Sequence, residues 1–210
     1  MASWVLSAFR TRDRTSMMLL YKSLVRSLLE YCCVLWNPKL ITHIQQLEAV
    51  QRSFTARIWG LDHLNYWERL KALRLMSLQR RRERYMIIHM WKILNGKCPN
   101  DVHVSFKPLS RRGILAEIPP LPKKCSQRNQ SLYESSFAVM GPRLWNSIPE
   151  ALHQINDQQQ FKIELTKHLN EIPDEPAIPG YSCRNSNSIL DWSKCADDML
   201  LRRSSSPMSL

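Results

Sequence analysis

Glycine is scarce in this chain, and the few glycines lie far apart. The 210 residues contain five of them, at positions 60, 96, 113, 141 and 180. A P-loop needs two glycines five positions apart so that backbone N–H groups can surround phosphates, and a dinucleotide-binding loop needs three glycines close together. Neither pattern occurs, so the sequence excludes enzymes that hold phosphates on glycine-rich loops.

The composition otherwise predicts an ordinary folded intracellular protein. Hydrophobic residues make up 44% of the chain, which is enough for a core, and six cysteines are too few for a disulfide scaffold and form no CxxC pair. The most apolar stretch, 17–36, carries Lys22, Arg26 and Glu30 on one helical face, which favours an amphipathic helix over a membrane span. Because the first residues also lack a signal-peptide pattern, we expect a cytoplasmic or nuclear protein without membrane contact.

Positive charge is concentrated in the middle of the chain. The formal net charge is +12, and residues 66–130 alone hold 15 Lys and Arg against 4 Asp and Glu. A single run of charge is usually a solvated surface, but a basic region of this extent is typical of proteins that bind a polyanion. The charge therefore favours RNA or DNA as a partner.

Helix signals fill residues 1–96. Apolar residues recur at helical spacing over about 16–36, 42–58, 65–73 and 77–95, and Asn65 with Glu68 forms a capping-box pattern. Ser77 is a predicted N-cap, while Gly60 and Gly96 stand where left-handed helix terminators belong. This part of the chain is therefore predicted to be a helical bundle.

The rest of the chain divides into three segments. Residues 97–130 lose the period and contain five prolines, which predicts an irregular basic arm or loop. Residues 131–170 predict a small C-terminal helical subdomain, and the proline-, serine- and asparagine-rich residues 171–210 predict a disordered tail. The fold class is thus mainly α.

The fourth predicted helix has a distinctive charge pattern. A helical wheel places Arg80, Arg81, Arg84 and Lys92 opposite the apolar side, with Trp91 among them. Such a face could contact phosphates through the cations and stack a base on Trp91. Packing of Trp91 against a neighbouring element is the other interpretation, and the sequence leaves both open.

No catalytic or metal site is predicted. The histidines lack a metal-ligand spacing, and no GxSxG nucleophile turn occurs. Ala196-Asp197-Asp198 looks like a polymerase catalytic loop, but that loop should join two apolar strands and work with a third carboxylate. Here it lies in a polar tail, so we interpret it as coincidence.

Six stretches of sequence form an ordered pattern. They are 21–32 with 35–38, 47–55, 66–70 with 78–82, 91–96, 136–149, and 161–162 with 168–169. Together they resemble the region that follows the polymerase core in jockey-like non-LTR retrotransposon reverse transcriptases. The resemblance covers roughly residues 2–192.

The resemblance implies a thumb-like and post-polymerase helical region that grips template–primer nucleic acid. The family's catalytic aspartates and Mg²⁺ belong to a palm upstream, and its endonuclease also lies upstream, so this chain alone is expected to have no enzyme activity and no cofactor. Expected partners are RNA and DNA, bound without sequence preference, and the polymerase core of the intact element. Two alternatives remain: a helical protein-interaction module, or a non-functional retroelement relic.

The predicted nucleic-acid contacts come from three places. Phosphate contacts are expected from α-helical cations and from the arm, and stacking from one aromatic ring. The residues are Arg52, Arg57, Arg80, Arg81, Arg84 and Lys92 on the helices, Trp91 for stacking, and Arg111, Arg112, Lys123 and Lys124 on the arm.

Overall fold

Helices make up most of the fold, which confirms the predicted fold class. The computed structural model describes residues 1–38, 40–100, 103–109, 113–120, 126–174 and 188–191. Within these ranges no helix has the length and apolar character that crossing a bilayer requires. The arm residues Arg111, Arg112, Lys123 and Lys124 and the Ala196-Asp197-Asp198 sequence lie outside the described residues.

The first half of the chain forms one helical cluster. Its elements are α1 (Ala2–Ala8), α2 (Arg14–Leu20), a π-helical segment (Tyr21–Val25), α3 (Arg26–Glu30), α4 (Ile41–Thr55) and α5 (Tyr66–Leu73). The segments from α2 to α3 follow one another without a break. A buried apolar cluster that includes Met17, Tyr21 and Phe54 joins this long helix to α1 and α4.

The helix caps and helix ends in this half of the chain lie where the sequence predicts, with two exceptions. Asn65 and Glu68 form the expected capping box at α5. The first long helix, however, ends at Glu30 rather than near Trp36, because the chain turns at Cys32 with a positive φ of 50°. Helix α4 begins at Ile41, close to the predicted start, but it ends at Thr55 rather than near Ile58.

Helix α6 (Leu78–Leu94) lies at the centre of the molecule. The Ser77 side chain accepts a hydrogen bond from the Arg80 N–H at 3.1 Å, as expected of an N-cap. The helix ends before Gly96, whose φ of +62° is left-handed, as is the +77° of Gly60. Gly96, which directly follows the C-cap Asn95, is therefore the helix terminator that the sequence predicts. Gly60 is not one, because α4 already ends at Thr55 with Ala56 as its C-cap.

The second half of the chain packs around the other end of α6. It contains the antiparallel pair β1 (Phe106–Leu109) and β2 (Gly113–Ala116), then α7 (Gln127–Ser135), α8 (Phe137–Ser147), α9 (Glu150–His153) and α10 (Gln158–Glu171). The indole N–H of Trp145 donates to the Ile114 carbonyl at 2.7 Å, which joins the strand pair to α8. Part of the predicted irregular arm is thus a hairpin that packs on the helices.

Helices α6 and α8 cross at close range. A Cβ at Gly141 would lie 2.9 Å from the Met90 sulfur and 2.9 Å from a ring carbon of Phe137. Because real Cβ contacts are not that short, a side chain at this position would force the Met90 side chain and the Phe137 ring to move. Gly141 therefore allows these two side chains to pack closely against α8.

Eight described residues of the predicted tail pack on α6. The Asp174 carboxylate accepts from the Ser77 N–H at 2.6 Å and from its hydroxyl at 2.7 Å. Ile189 is buried, and its N–H donates to a Glu83 carboxylate oxygen at 3.1 Å. Residues 171–174 and 188–191 are ordered because α6 supplies polar partners for them; the rest of the predicted tail lies outside the described residues.

Candidate nucleic-acid interface

Arg80 does not lie on a solvent-facing surface, so its predicted position was wrong. Its side chain is 0% exposed. The guanidinium donates to three carbonyl oxygens, at 3.1 Å, 3.2 Å and 3.0 Å, which belong to Leu169, Ile172 and Pro173. It also lies 3.9 Å from an Asp174 carboxylate oxygen. Arg80 therefore ties the end of α10 to α6 and cannot reach a phosphate in this fold.

Trp91 packs inside the protein. It is 0% exposed, and its ring stacks on Phe161 with centroids 5.4 Å apart. The indole N–H donates to the Ile155 carbonyl at 2.7 Å. Of the two interpretations that the sequence left open, the structure selects packing against a neighbour, and no face of this ring is accessible to a base.

Arg82 is the second buried cation of α6. It is 1% exposed, and its Nε and Nη2 atoms have no hydrogen-bond partner among the described residues. Burial lowers the pKa of the guanidinium, while the charge of the buried Glu48 acts in the opposite direction. Arg82 therefore lies on the inner side of the helix.

Arg81 and Arg84 are half-buried and reach a groove. Arg81 binds the Glu30 carboxylate through two nitrogens, one of them at 2.9 Å. The Arg84 Nε–H donates to the Thr166 hydroxyl at 3.0 Å. Both guanidinium groups are thus held in place by neighbours on α3 and α10.

The groove that they line is strongly cationic. It has a volume of about 630 Å³ and lies between the long helix α2–α3, the end of α5, α6 and α10. Six cationic side chains line it: Lys22, Arg26, Lys71, Arg74, Arg81 and Arg84. We call this feature the basic groove.

Two carboxylates offset part of the charge of the basic groove. Glu30 lies against Arg81 and is 3.8 Å from Arg26, and Asp174, which belongs to the lining, accepts hydrogen bonds from Ser77. Six cations against two carboxylates leave an excess of about four positive charges in one concave surface. Such a surface concentrates field lines and attracts polyanions.

Four of the six groove cations were not among the predicted contacts. Lys22 and Arg26 are four positions apart, a spacing visible in the sequence, and Lys71 and Arg74 end α5. What the sequence could not show is that these two pairs converge on the same side of α6. Arg74 has a left-handed backbone, with φ of 51° and ψ of 46°, at the C-cap of α5. This conformation favours glycine.

The remaining predicted contacts lie apart from the basic groove. Arg52 and Arg57 are exposed on α4 and the turn after it, and the Arg52 guanidinium lies 4.8 Å above the Tyr66 ring. Lys92 is half-buried near the end of α6. None of the three lines the groove, and their binding roles stay predictions.

Among the described residues, no group of three or more His, Cys, Asp or Glu side chains is arranged to hold a metal ion.

Comparison with protein-family models, with curated proteins and with solved structures finds no match for this chain. The interpretation of the basic groove therefore depends on its own geometry and charge.

The stability of α6 should depend on pH through Glu83. Burial raises the pKa of this carboxyl to about 7 from 4.5, even though it accepts hydrogen bonds from Ser188 and from the Ile189 N–H. Between these pH values the folded state binds more protons than the unfolded state, so stability is lost as pH rises towards 7. We expect Glu83→Gln, which cannot ionise, to gain up to about 3 kcal/mol over the wild type between pH 5 and pH 8.

Urea unfolding of both proteins across this pH range measures that difference. The amide oxygen of the variant can still accept the Ile189 N–H, so the packing of residues 188–191 is conserved. If the difference in free energy of unfolding between the two proteins is the same at all pH values, the pKa of Glu83 is not raised by folding.

Proposed function

We propose that this chain binds the sugar–phosphate backbone of RNA and DNA in the basic groove, as the thumb-like and post-polymerase fragment of a retrotransposon RNA-directed DNA polymerase. In this proposal the chain has no catalytic role of its own, and Mg²⁺ belongs to the palm of the intact element. The observation that carries the proposal is the convergence of six cations from four helical segments on one groove.

The arrangement of the groove supports a polyanion as its ligand. Arg81 and Arg84 are already oriented by Glu30 and Thr166, so binding costs little side-chain entropy at these positions. Lys22, Lys71 and Arg74 are exposed at its rim, where they can contact successive phosphates. Contacts of this kind position a nucleic acid without reading its sequence.

The resemblance of the sequence to post-polymerase regions agrees with this function. A thumb needs a helical surface with positive charge towards the template–primer and needs no catalytic carboxylates. The intact family member would provide the polymerase core as the second partner of this chain.

A salt titration of binding tests the proposal. The groove carries about four net positive charges. A plot of the logarithm of the affinity for an RNA–DNA hybrid against the logarithm of the salt concentration should therefore have a slope of about −3 to −4. Arg74→Gly should reduce the magnitude of this slope by about one. Because glycine prefers the left-handed conformation found there, this variant removes a charge without stressing the backbone.

An affinity that hardly changes between low and moderate salt would contradict the proposal. The alternative of a protein-interaction module is favoured by one observation, the exposed apolar side chains of Leu28 on α3 and of Leu35 and Leu40 between α3 and α4. Under that alternative the purified chain would ignore RNA and DNA in the titration and would bind a folded, acidic protein.

A further inference from the structure

A second cavity adjoins the basic groove. It has a volume of about 500 Å³, and two of its lining residues, Lys22 and Arg26, also line the groove. On the other side it is lined by Tyr31, Cys32 and Cys33. The two depressions therefore meet at the Lys22–Arg26 pair, and a ligand that follows the groove can continue into the second cavity.

Tyr31 presents its side chain at this second cavity. The residue is 74% exposed, although aromatic rings of this size usually bury most of their surface. An exposed tyrosine alone would be an ordinary surface residue. Here, however, Tyr31 lines a concave surface together with two cations, Lys22 and Arg26, and an aromatic ring in a basic depression is the combination that binds single-stranded nucleic acid.

The backbone that carries Tyr31 is well anchored. The chain turns at Cys32 with φ of 50°, and the Leu35 N–H donates to the Cys32 carbonyl at 2.9 Å. The indole N–H of Trp36 donates to the Tyr31 carbonyl at 2.6 Å. These bonds fix the backbone of the turn without using the Tyr31 ring, which stays accessible.

The charges around the cavity favour an anionic strand. Among the described residues that line the cavity there is one carboxylate, Glu30, and it is bound to Arg81. Because that carboxylate already has a cationic partner, the positive charge of Lys22 and Arg26 in the cavity is not fully neutralised by it. A phosphate placed between them would leave its attached base next to Tyr31.

We infer that the second cavity receives an unpaired base, stacked on Tyr31, of a strand whose phosphates follow the basic groove. In a duplex both faces of a base are covered by its neighbours, so only an unpaired base offers a face to the tyrosine. The inference depends on the proposed function and sharpens it: the ligand is a nucleic acid with a single-stranded segment beyond its duplex.

Two ligands and two variants test this inference. The ligands are a blunt RNA–DNA hybrid and the same hybrid with a single-stranded extension. Tyr31→Ala should weaken binding of the extended hybrid about tenfold, since stacking of one base has an effect of that size, and should leave the blunt hybrid within about twofold. Tyr31→Phe retains the ring and should bind both ligands like the wild type.

The possible results separate the inference from the proposed function. If Tyr31→Ala binds the extended hybrid as well as the wild type does, Tyr31 stacks no base and the inference is overturned. Equal weakening of both hybrids overturns it as well, since that pattern reports a general loss of binding. If the wild type itself binds neither hybrid in a salt-dependent way, the proposed function fails first, and the face around Tyr31 and Leu35 becomes a protein-docking surface instead.

Cys32 provides a second readout in the wild-type protein. Its thiol is free and exposed and lines the same cavity as Tyr31. Alkylation of Cys32, followed by peptide mass spectrometry, should slow when the extended hybrid is bound and should not change with the blunt hybrid. Cys98, which lies outside both cavities, is the internal control. Equal protection by the two hybrids would overturn the inference.

Discussion

Replacing Lys22, Lys71 and Arg74 together by glutamate should lower the affinity for an RNA–DNA hybrid by about 100- to 1,000-fold at low salt. Each substitution removes one attraction to a phosphate and adds one repulsion. The three side chains are exposed at the rim of the basic groove, so the fold should tolerate the changes. Fluorescence anisotropy with a labelled hybrid measures the affinity, and circular dichroism checks that helix content is unchanged.

A matched variant separates the groove from the overall charge of the protein. Arg10, Arg143 and Lys167 are also exposed but do not line the groove, and their replacement by glutamate changes the net charge by the same amount. We expect this control to lose less than about fivefold in affinity, because charges beyond a Debye length are largely screened. An equal loss in both variants would mean that net charge, and not the basic groove, determines binding.

The largest effect on stability is expected at Arg80. Arg80→Ala should lower the free energy of unfolding by about 3–5 kcal/mol, because it leaves one buried and two partly buried carbonyl oxygens without their donor. The buried Glu83 also loses the cation 4.0 Å away. Since small proteins are stable by only about 5–15 kcal/mol, this variant should unfold at much lower urea concentration than the wild type.

Arg84→Ala is the control for this experiment. Arg84 lies one helical turn further along α6 and makes a side-chain hydrogen bond to Thr166, so its loss should cost only about 1 kcal/mol. Arg80→Lys retains the charge but cannot donate to all three carbonyl oxygens. Its free energy of unfolding should therefore lie between those of Arg80→Ala and Arg84→Ala. Equal stability of Arg80→Ala and the wild type would mean that the arginine is not the tie between α6 and α10.

Features encoded within a few neighbouring residues could be predicted from the sequence. The Ser77 cap, the Asn65–Glu68 capping box and the left-handed Gly96 at the end of α6 are all as expected. Each depends on local hydrogen bonding or on backbone freedom, which do not require knowledge of distant parts of the chain. The mainly helical fold class follows from the same kind of signal.

The surroundings of α6 could not be predicted in this way. A helical wheel shows which residues share a face, but it does not show which faces other elements cover. Because α10 packs on the side of α6 that carries Arg80 and Trp91, the predicted cationic face is largely interior. Replacing Arg80, Arg81 and Arg84 together would therefore confuse loss of binding with loss of folding.

The basic groove is a tertiary feature for the same reason. Arg81 and Arg84 were predicted contacts, but the cations that join them come from the long helix and from the end of α5. The sequence spacing of Lys22 and Arg26 places both on one helical face without indicating what lies opposite. Only the packing of the long helix and α5 against α6 brings the two pairs together.

Chemical footprinting of lysines in the native protein tests most directly whether nucleic acid occupies the basic groove. Lys22 and Lys71 line the groove, whereas Lys107 and Lys167 are exposed elsewhere. Acetylation of Lys22 and Lys71, measured by mass spectrometry, should slow when an RNA–DNA hybrid is bound, while Lys107 and Lys167 should react at an unchanged rate. Slower acetylation of Lys107 and Lys167 alone, or of no lysine at a saturating hybrid concentration, would contradict the assignment of the basic groove as the binding site.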